Sequence, residues 1–297
     1  MSYDFFPGFA AHWIDTDAGR VFARAGGAGP PLLLLHGFPQ THVMWARIAP
    51  ALAARFFVVA MDLRGYGWSS APRSVGGALY AKRAMAADAV RVMESLGHVR
   101  FRVAGHDRGA RVAYRLALDQ PGRIEKLALL DILPTVSVWR NIAAGVTPAA
   151  HWAFLSQDEP APEREIAQRG ADVYFETLMG GWTQEGRLRA FDARALAAYR
   201  DCWRDPARIH AFCEDYRAGA AQDRLADEQD LAAGRVIDAP ALILSGDFFL
   251  TSAAAPALET WRATFAPRAQ GARIPDSGHF LAEENPQATR EALEAFF

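Results

Sequence analysis

Gly105-His106-Asp107-Arg108-Gly109 stands where an apolar strand gives way, almost without a turn, to a helix. Its spacing is that of a nucleophile elbow, Gly-x-Ser-x-Gly, with aspartate in place of the serine. Small residues on either side of the centre let strand and helix crowd around one strained side chain and present it. The exchange of nucleophile restricts the chemistry. A serine that attacked a saturated carbon would end as an ether and stop after one turnover. A carboxylate makes an ester instead, and water can cleave that ester at the aspartate's own carbonyl. Asp107 therefore points to displacement at an sp3 carbon, with a halide or an epoxide oxygen leaving. The bland alternative is an acidic N-cap of the helix, a position that aspartate favours. The glycines and the residues below would then be coincidental.

An ester on Asp107 needs a base for water, and Asp276-Ser277-Gly278-His279-Phe280 supplies one near the end of the chain. His279 need not deprotonate Asp107, which is ionised at neutral pH. Its task is to take a proton from the water that attacks the ester. Two carboxylates compete to orient it, Asp131 and Asp247, each placed just after a strand, and spacing leaves both open. Arg108 and Arg111 lie three apart on one helix face. Two guanidinium groups beside an anionic nucleophile suit an anionic substrate, because each can fork onto a carboxylate. Arg115 and Arg123 read as surface arginines. The loop His36-Gly37-Phe38-Pro39-Gln40 is expected to supply one backbone donor for an oxyanion, from Phe38, and Arg108 the other. His36 is expected to hold that loop rather than to react.

These groups need a frame, and the chain alternates in a way that provides one. Residues 11–25 read as a hairpin. Leu32–Leu35, Phe56–Met61, the stretch before Asp107, Leu127–Leu130, Pro240–Ser245 and Ala272–Pro275 read as further strands, with helices at Tyr80–Gly97, after Asp107, and from Pro286 to the end. Strand–helix–strand alternation implies a mostly parallel sheet flanked by helices, the α/β class. Alternation lapses for about a hundred residues after Pro134, in helix-like sequence rich in Trp, Tyr, Ala and Arg. A core of residues 1–134 and 236–297 with a helical cap at 135–235 is the expected division, the cap lying over the strand ends where open parallel sheets bind ligands.

The chain has 297 residues, 51% of them hydrophobic, and a formal charge of −2. That length and composition support a sizeable core and argue against a polyanion-binding surface, so nucleic acid is not an expected partner. Two cysteines, Cys202 and Cys213, suit a reducing compartment. No leader pattern or long apolar run is seen, so a cytoplasmic protein without a membrane partner is expected. Repeats, heptads and metal-ligand spacings are not apparent.

Taken together, the chain resembles the haloacetate dehalogenases, in particular the fluoroacetate dehalogenase group of α/β-hydrolases. The resemblance runs from His36-Gly-Phe-Pro-Gln-Thr41 almost to the end and rests on Gly105-His-Asp-Arg-Gly-Ala-Arg111, Leu130-Asp-Ile-Leu-Pro134, His151-Trp152, Cys213-Glu-Asp-Tyr-Arg-Ala-Gly219 and Ser277-Gly-His-Phe280. It implies an α/β-hydrolase fold with an inserted cap, Asp107 as nucleophile, His279 as base and Asp131 as the acid. It also implies that Arg108 and Arg111 hold the substrate carboxylate and that His151, Trp152 and Tyr216 bind the leaving halide. An imidazole, an indole and a phenol are three donors that could replace the water around a strongly hydrated fluoride. A small haloacid substrate, a homodimer and no metal or organic cofactor are implied. The loop Ser245-Gly-Asp-Phe-Phe-Leu250 is bulkier than the resemblance leads one to expect. An epoxide hydrolase shares the nucleophile and base but usually has tryptophan where Arg108 stands, and two cap tyrosines. A receptor that has lost turnover is the remaining reading.

Overall fold

The computed structural model describes residues 4–146, 150–248 and 257–297. Among the described residues, eight strands form one sheet in the order β1-β2-β4-β3-β5-β6-β7-β8. They are β1 (Ala10–Thr16), β2 (Gly19–Gly26), β3 (Pro31–Leu35), β4 (Phe57–Met61), β5 (Phe101–His106), β6 (Ile124–Leu130), β7 (Ala241–Gly246) and β8 (Gln270–Ile274). The β1–β2 hairpin is antiparallel and β2 joins β4 antiparallel, while every pairing from β4 to β8 is parallel. Leu32 to Leu35 and Val58 to Met61 are wholly buried, as strands covered on both faces must be. Gln270 to Arg273 of β8, at the sheet edge, are exposed.

Helices α1 (Ala49–Leu52), α2 (Lys82–Ser95) and α3 (Asp107–Asp119) connect the strands up to β6. Among the described residues between β6 and β7 the regular elements are all helical: α4 (Thr135–Ala143), α5 (Ala150–Leu155), α6 (Ala161–Arg169), α7 (Ala171–Trp182), α8 (Ala193–Trp203), α9 (Pro206–Ala218), a π-helical turn at Gly219–Asp223, and α10 (Arg224–Ala232), with one short 3-10 turn. The sheet resumes with β7, and α11 (Ala257–Arg262), α12 (Leu281–Glu284) and α13 (Pro286–Phe296) complete the chain. The bulky loop after Ser245 is described only as far as Phe248, which is half exposed; Phe249 and Leu250 lie outside the described residues.

Glycine is required where α3 wedges between strands. A Cβ on Gly109 would come within 2.3 Å of the His36 carbonyl oxygen, and one on Gly105 within 2.6 Å of the Ala110 Cα. Both contacts are with backbone, which cannot move aside cheaply. This close approach brings the loop after β3 against the start of α3.

Arg115 corrects an expectation. It is buried, not a surface residue, and its guanidinium is held by Asp119 and by Asp230 of α10. All but one residue of α3 are buried, because the helical insertion covers the face that periodicity alone would assign to solvent. Arg123, partly exposed, pairs with Glu94.

A second polar contact joins insertion to core. Glu283 of α12 accepts from the Tyr199 hydroxyl of α8 at 3.0 Å and lies against the Gln40 amide. Burial pushes its carboxyl up to about 8, against the pull of Tyr199, Gln40 and Arg47 and with that of Glu284. A protonated Glu283 is a donor, and Gln40 Oε1, otherwise without a partner, accepts from it once the amide is turned over. The folded state therefore holds a proton that the unfolded chain releases above its ordinary 4.5. Stability contributed by this proton is complete below that value and is lost as pH rises toward 8. Glu283→Gln should flatten the loss by on the order of a few kcal/mol, read as denaturation midpoints at mildly acidic and mildly alkaline pH. Parallel slopes in wild type and variant would refute it.

Candidate active site

Asp107 follows His106 of β5 directly and is the first residue of α3, with φ at +46°. Left-handed backbone is strained for a residue with a Cβ, though less so for aspartate than for most. It turns the carboxylate out of the sheet edge, toward the loop after β3. There the Phe38 N–H donates to Asp107 Oδ1 at 2.9 Å. A Cβ on Gly37 would lie 2.5 Å from the Asp107 Cβ, so the loop can come this close only as glycine. The expected Phe38 donor is thus in place, and Arg108, the next residue of α3, carries the adjoining peptide N–H. His36 holds the loop: its Nε2 accepts from the Leu63 N–H at 2.9 Å, and burial pulls its pKa down to about 4.

His279 Nδ1 donates to Asp131 Oδ2 at 2.7 Å, and its Nε2 stands 3.8 Å from Asp107 Oδ2. Of the two competing carboxylates, it is Asp131 that lies against the imidazole. Asp131 turns back on a left-handed φ of +52° at the end of β6 and also accepts from the Gly246 N–H. Asp247 instead accepts from the Asp276 N–H and pairs with Arg273, away from the imidazole. The His279 loop is tied down on both sides, because its N–H donates to the Trp182 carbonyl while Glu284 accepts from the amides of Gly278 and Phe280. His106, kept neutral by burial, which lowers its pKa to about 3, donates from Nε2 to the His279 carbonyl at 2.7 Å.

The electrostatics suit a carboxylate nucleophile. Burial alone would raise the pKa of Asp107, but His279, Arg108 and Arg111 hold it below the ordinary range. Burial would lower that of His279, yet Asp131, Asp107 and Glu284 lift it above the usual imidazole value. Arg111 donates to the Leu133 carbonyl and to Thr135 Oγ1, and burial together with the neighbouring Arg108 pulls on its charge. Arg108 is wholly buried and bound through Nε and Nη2 to Asp215. Arg108 is therefore not an open fork, contrary to the expectation that it could take a carboxylate bidentately, whereas Arg111 is engaged only through Nη1. Two buried nitrogens of the pair, Arg108 Nη1 and Arg111 Nε, have no hydrogen-bond partner among the described residues. Both guanidiniums lie by the Trp152 ring, at 5.2 and 4.5 Å from its centroid.

The three aromatic residues expected to meet do so. His151 and Trp152 of α5 lie against Tyr216 of α9, with ring centroids 5.8 and 5.6 Å away. Burial, aided by nearby cations, takes His151 down to about 3, and burial with the charge of Asp107 keeps the Tyr216 phenol protonated. The cluster thus offers neutral N–H and O–H donors, while positive charge is concentrated on the arginines.

A family model described as the alpha/beta hydrolase fold matches residues 30–286. Over 297 residues the chain is 42% identical to a fluoroacetate dehalogenase from Burkholderia sp, which covers 98% of this chain and 94% of that protein. The chain belongs to the haloacetate dehalogenases of the α/β-hydrolase fold. As a dehalogenase of this family it is a hydrolase acting on carbon–halide bonds. The crystal structure of ALR0039 from Nostoc sp PCC 7120 matches it with a TM-score of 0.90 at 46% identity, over 97% of each chain. A soluble epoxide hydrolase from Corynebacterium sp. (strain C12) is 29% identical, covering 94% of this chain and 93% of that protein.

Several residues of this dehalogenase-fold site were not singled out in sequence. Trp182 closes the space between His151 and His279, its ring centroid 4.6 Å from one and 5.6 Å from the other. Thr135 links Arg111 to the Tyr114 hydroxyl, which in turn meets Asp227 of α10. Asp215 lies inside the Cys213–Gly219 stretch and next to Tyr216, which was the available signal. Among the described residues there is no His, Cys, Asp and Glu group able to hold a metal ion, both cysteines are free and buried, and no helix is long and apolar enough to cross a membrane.

Proposed function

We propose that the protein hydrolyses short 2-haloacids such as fluoroacetate and chloroacetate through an ester on Asp107, with the helices between β6 and β7 acting as a cap. The observation that carries this reading is the pair of unpartnered guanidinium nitrogens, Arg108 Nη1 and Arg111 Nε, beside an anionic nucleophile. Burying two cations short of partners is costly unless an anion arrives to complete them. A neutral epoxide would not do so.

Asp107 attacks the α-carbon from the side opposite the halogen, the carbon–halogen bond breaks, and the halide leaves toward His151, Trp152 and Tyr216. The ester that forms has no charge, so the carboxylate that helped raise His279 is gone. Its imidazole is then held more readily in the neutral form, the one that can accept a proton, at the moment it is needed. His279 takes a proton from water, and the hydroxide adds to the Asp107 carbonyl carbon. The developing oxyanion is met by the Phe38 N–H, already on Asp107 Oδ1, and by the Arg108 N–H. Collapse expels the glycolate oxygen, which takes the proton from His279, and Asp107, left as a carboxylic acid, gives the hydroxide's proton to solvent to regain its carboxylate. Asp131 holds the Nδ1 proton throughout, fixing the tautomer in which Nε2 is the accepting nitrogen.

The phenols also favour this reading over epoxide opening. Of the tyrosines packed nearby, Tyr216 joins the aromatic cluster, but the hydroxyls of Tyr66 and Tyr199 are spent on Asp215 and Glu283. The test is ion-selective halide release from fluoroacetate and chloroacetate beside diol formation from a small epoxide. Halide without diol is expected. Diol without halide would move the protein to epoxide hydrolysis, and chloride without fluoride would keep the chemistry but limit the leaving group.

A further inference from the structure

Asp215 is wholly buried and is shared by three partners drawn from three parts of the core. Arg108 at the start of α3 donates to it from Nε at 3.1 Å and from Nη2, and Nη2 also reaches the Asp215 backbone carbonyl at 2.7 Å. Lys82 at the start of α2 donates its ammonium to Oδ1, and the Tyr66 hydroxyl donates to Oδ2 at 2.8 Å. Tyr216, the next residue of α9, lies under the same guanidinium at 4.3 Å. Gly219, one turn on, has open space for the guanidinium, since a Cβ there would lie 3.2 Å from Arg108 Nη2.

We infer that Asp215 is the positioning residue of the substrate-carboxylate subsite, fixing Arg108 by two of its nitrogens so that Nη1 alone is left to receive the acid. This rests on the haloacid reading above and says which residue makes the arginine a specific receptor. Held from one side only, an arginine this long would spread over many rotamers; gripped by Asp215 and stacked between Tyr216 and Trp152, it has one.

The grip raises an electrostatic problem that Lys82 answers. A lone Asp215 would cancel the Arg108 charge and weaken its pull on an anion. Lys82, also buried, contacts Asp215 and lies 3.6 Å from Asp223. Asp215 therefore divides its charge between two cations, and Arg108 keeps more of its own for substrate. Asp215 remains ionised, because Arg108 and Lys82 outweigh the cost of burying it. Consecutive residues of α9 thus serve both ends of the substrate: Asp215 sets the carboxylate clamp and Tyr216 stands in the halide cluster.

The test compares chloroacetate with chloroacetamide, its uncharged counterpart, by chloride release. The proteins are wild type, Asp215→Asn, and the double variant Lys82→Met with Asp215→Asn, which removes both members of the buried pair and so avoids a stranded ammonium. Thermal unfolding checks that each is folded. Loss of a charge-assisted clamp should raise KM for chloroacetate about tenfold or more, with kcat lowered less, in the single variant if it folds and in the double variant. Chloroacetamide kcat/KM should stay within about threefold. An unchanged KM for chloroacetate in the folded variants, or equal losses for acid and amide, would overturn the inference while leaving the dehalogenase reading in place. Absence of chloride release from chloroacetate by the wild-type protein would overturn the functional reading and this inference with it.

Discussion

Asp107→Asn should release halide from chloroacetate at least ~10⁴-fold more slowly than the wild type, yet bind the intact acid more tightly. The carboxamide is isosteric, so Phe38 keeps its acceptor and α3 its start. What disappears is the nucleophilic charge, and with it the repulsion that a haloacid meets on entering beside Arg108 and Arg111. Those cations, with His279, are what hold Asp107 ionised in the free protein. Without it they are short of a counter-charge, and the substrate carboxylate supplies one. Calorimetric titration with chloroacetate reads the binding half, and chloride release the chemical half. Weaker binding by the variant would mean that the arginines do not receive the acid.

His279→Gln should separate the two half-reactions. Alkylation of Asp107 needs no base, so the variant should release one halide per chain in a burst and then stop, with steady-state turnover down by about 10³-fold. The ester should be found on the peptide containing Asp107, as the mass of one carboxymethyl group. Neutral glutamine cannot take the water proton, and the 3.8 Å gap between His279 Nε2 and Asp107 Oδ2 leaves that water without an activating partner. Absence of a burst would show that His279 acts before or during halide departure.

Much of this site could be read along the chain because its demands are local. Gly105 and Gly109 are glycines for steric reasons that act within one strand–turn–helix, and the residue between them is the one presented. His151 and Trp152 are adjacent, and Tyr216 is in a recognisable stretch. Other features depend on contacts between distant segments. Asp131 and Asp247 end neighbouring parallel strands, and only the turn of Asp131 at positive φ, with the pairing of Asp247 to Arg273, decides between them. Arg115 looks like a surface residue until α10 is laid over α3. The role of Asp215 is invisible locally, since its partners Arg108, Lys82 and Tyr66 are each more than a hundred residues away. The same contacts show that Arg108 is not a free fork: with Nε and Nη2 on Asp215 it keeps one unpartnered nitrogen, Nη1.

A single-turnover reaction in water enriched in oxygen-18, with protein in excess over chloroacetate, tests the covalent ester most directly. The ester route predicts unlabelled glycolate, because its new oxygen comes from Asp107, and one heavy oxygen left in the Asp107 carboxylate. Labelled glycolate with an unlabelled Asp107 would mean that water attacks the α-carbon itself, and Asp107 would then be a base and not the nucleophile.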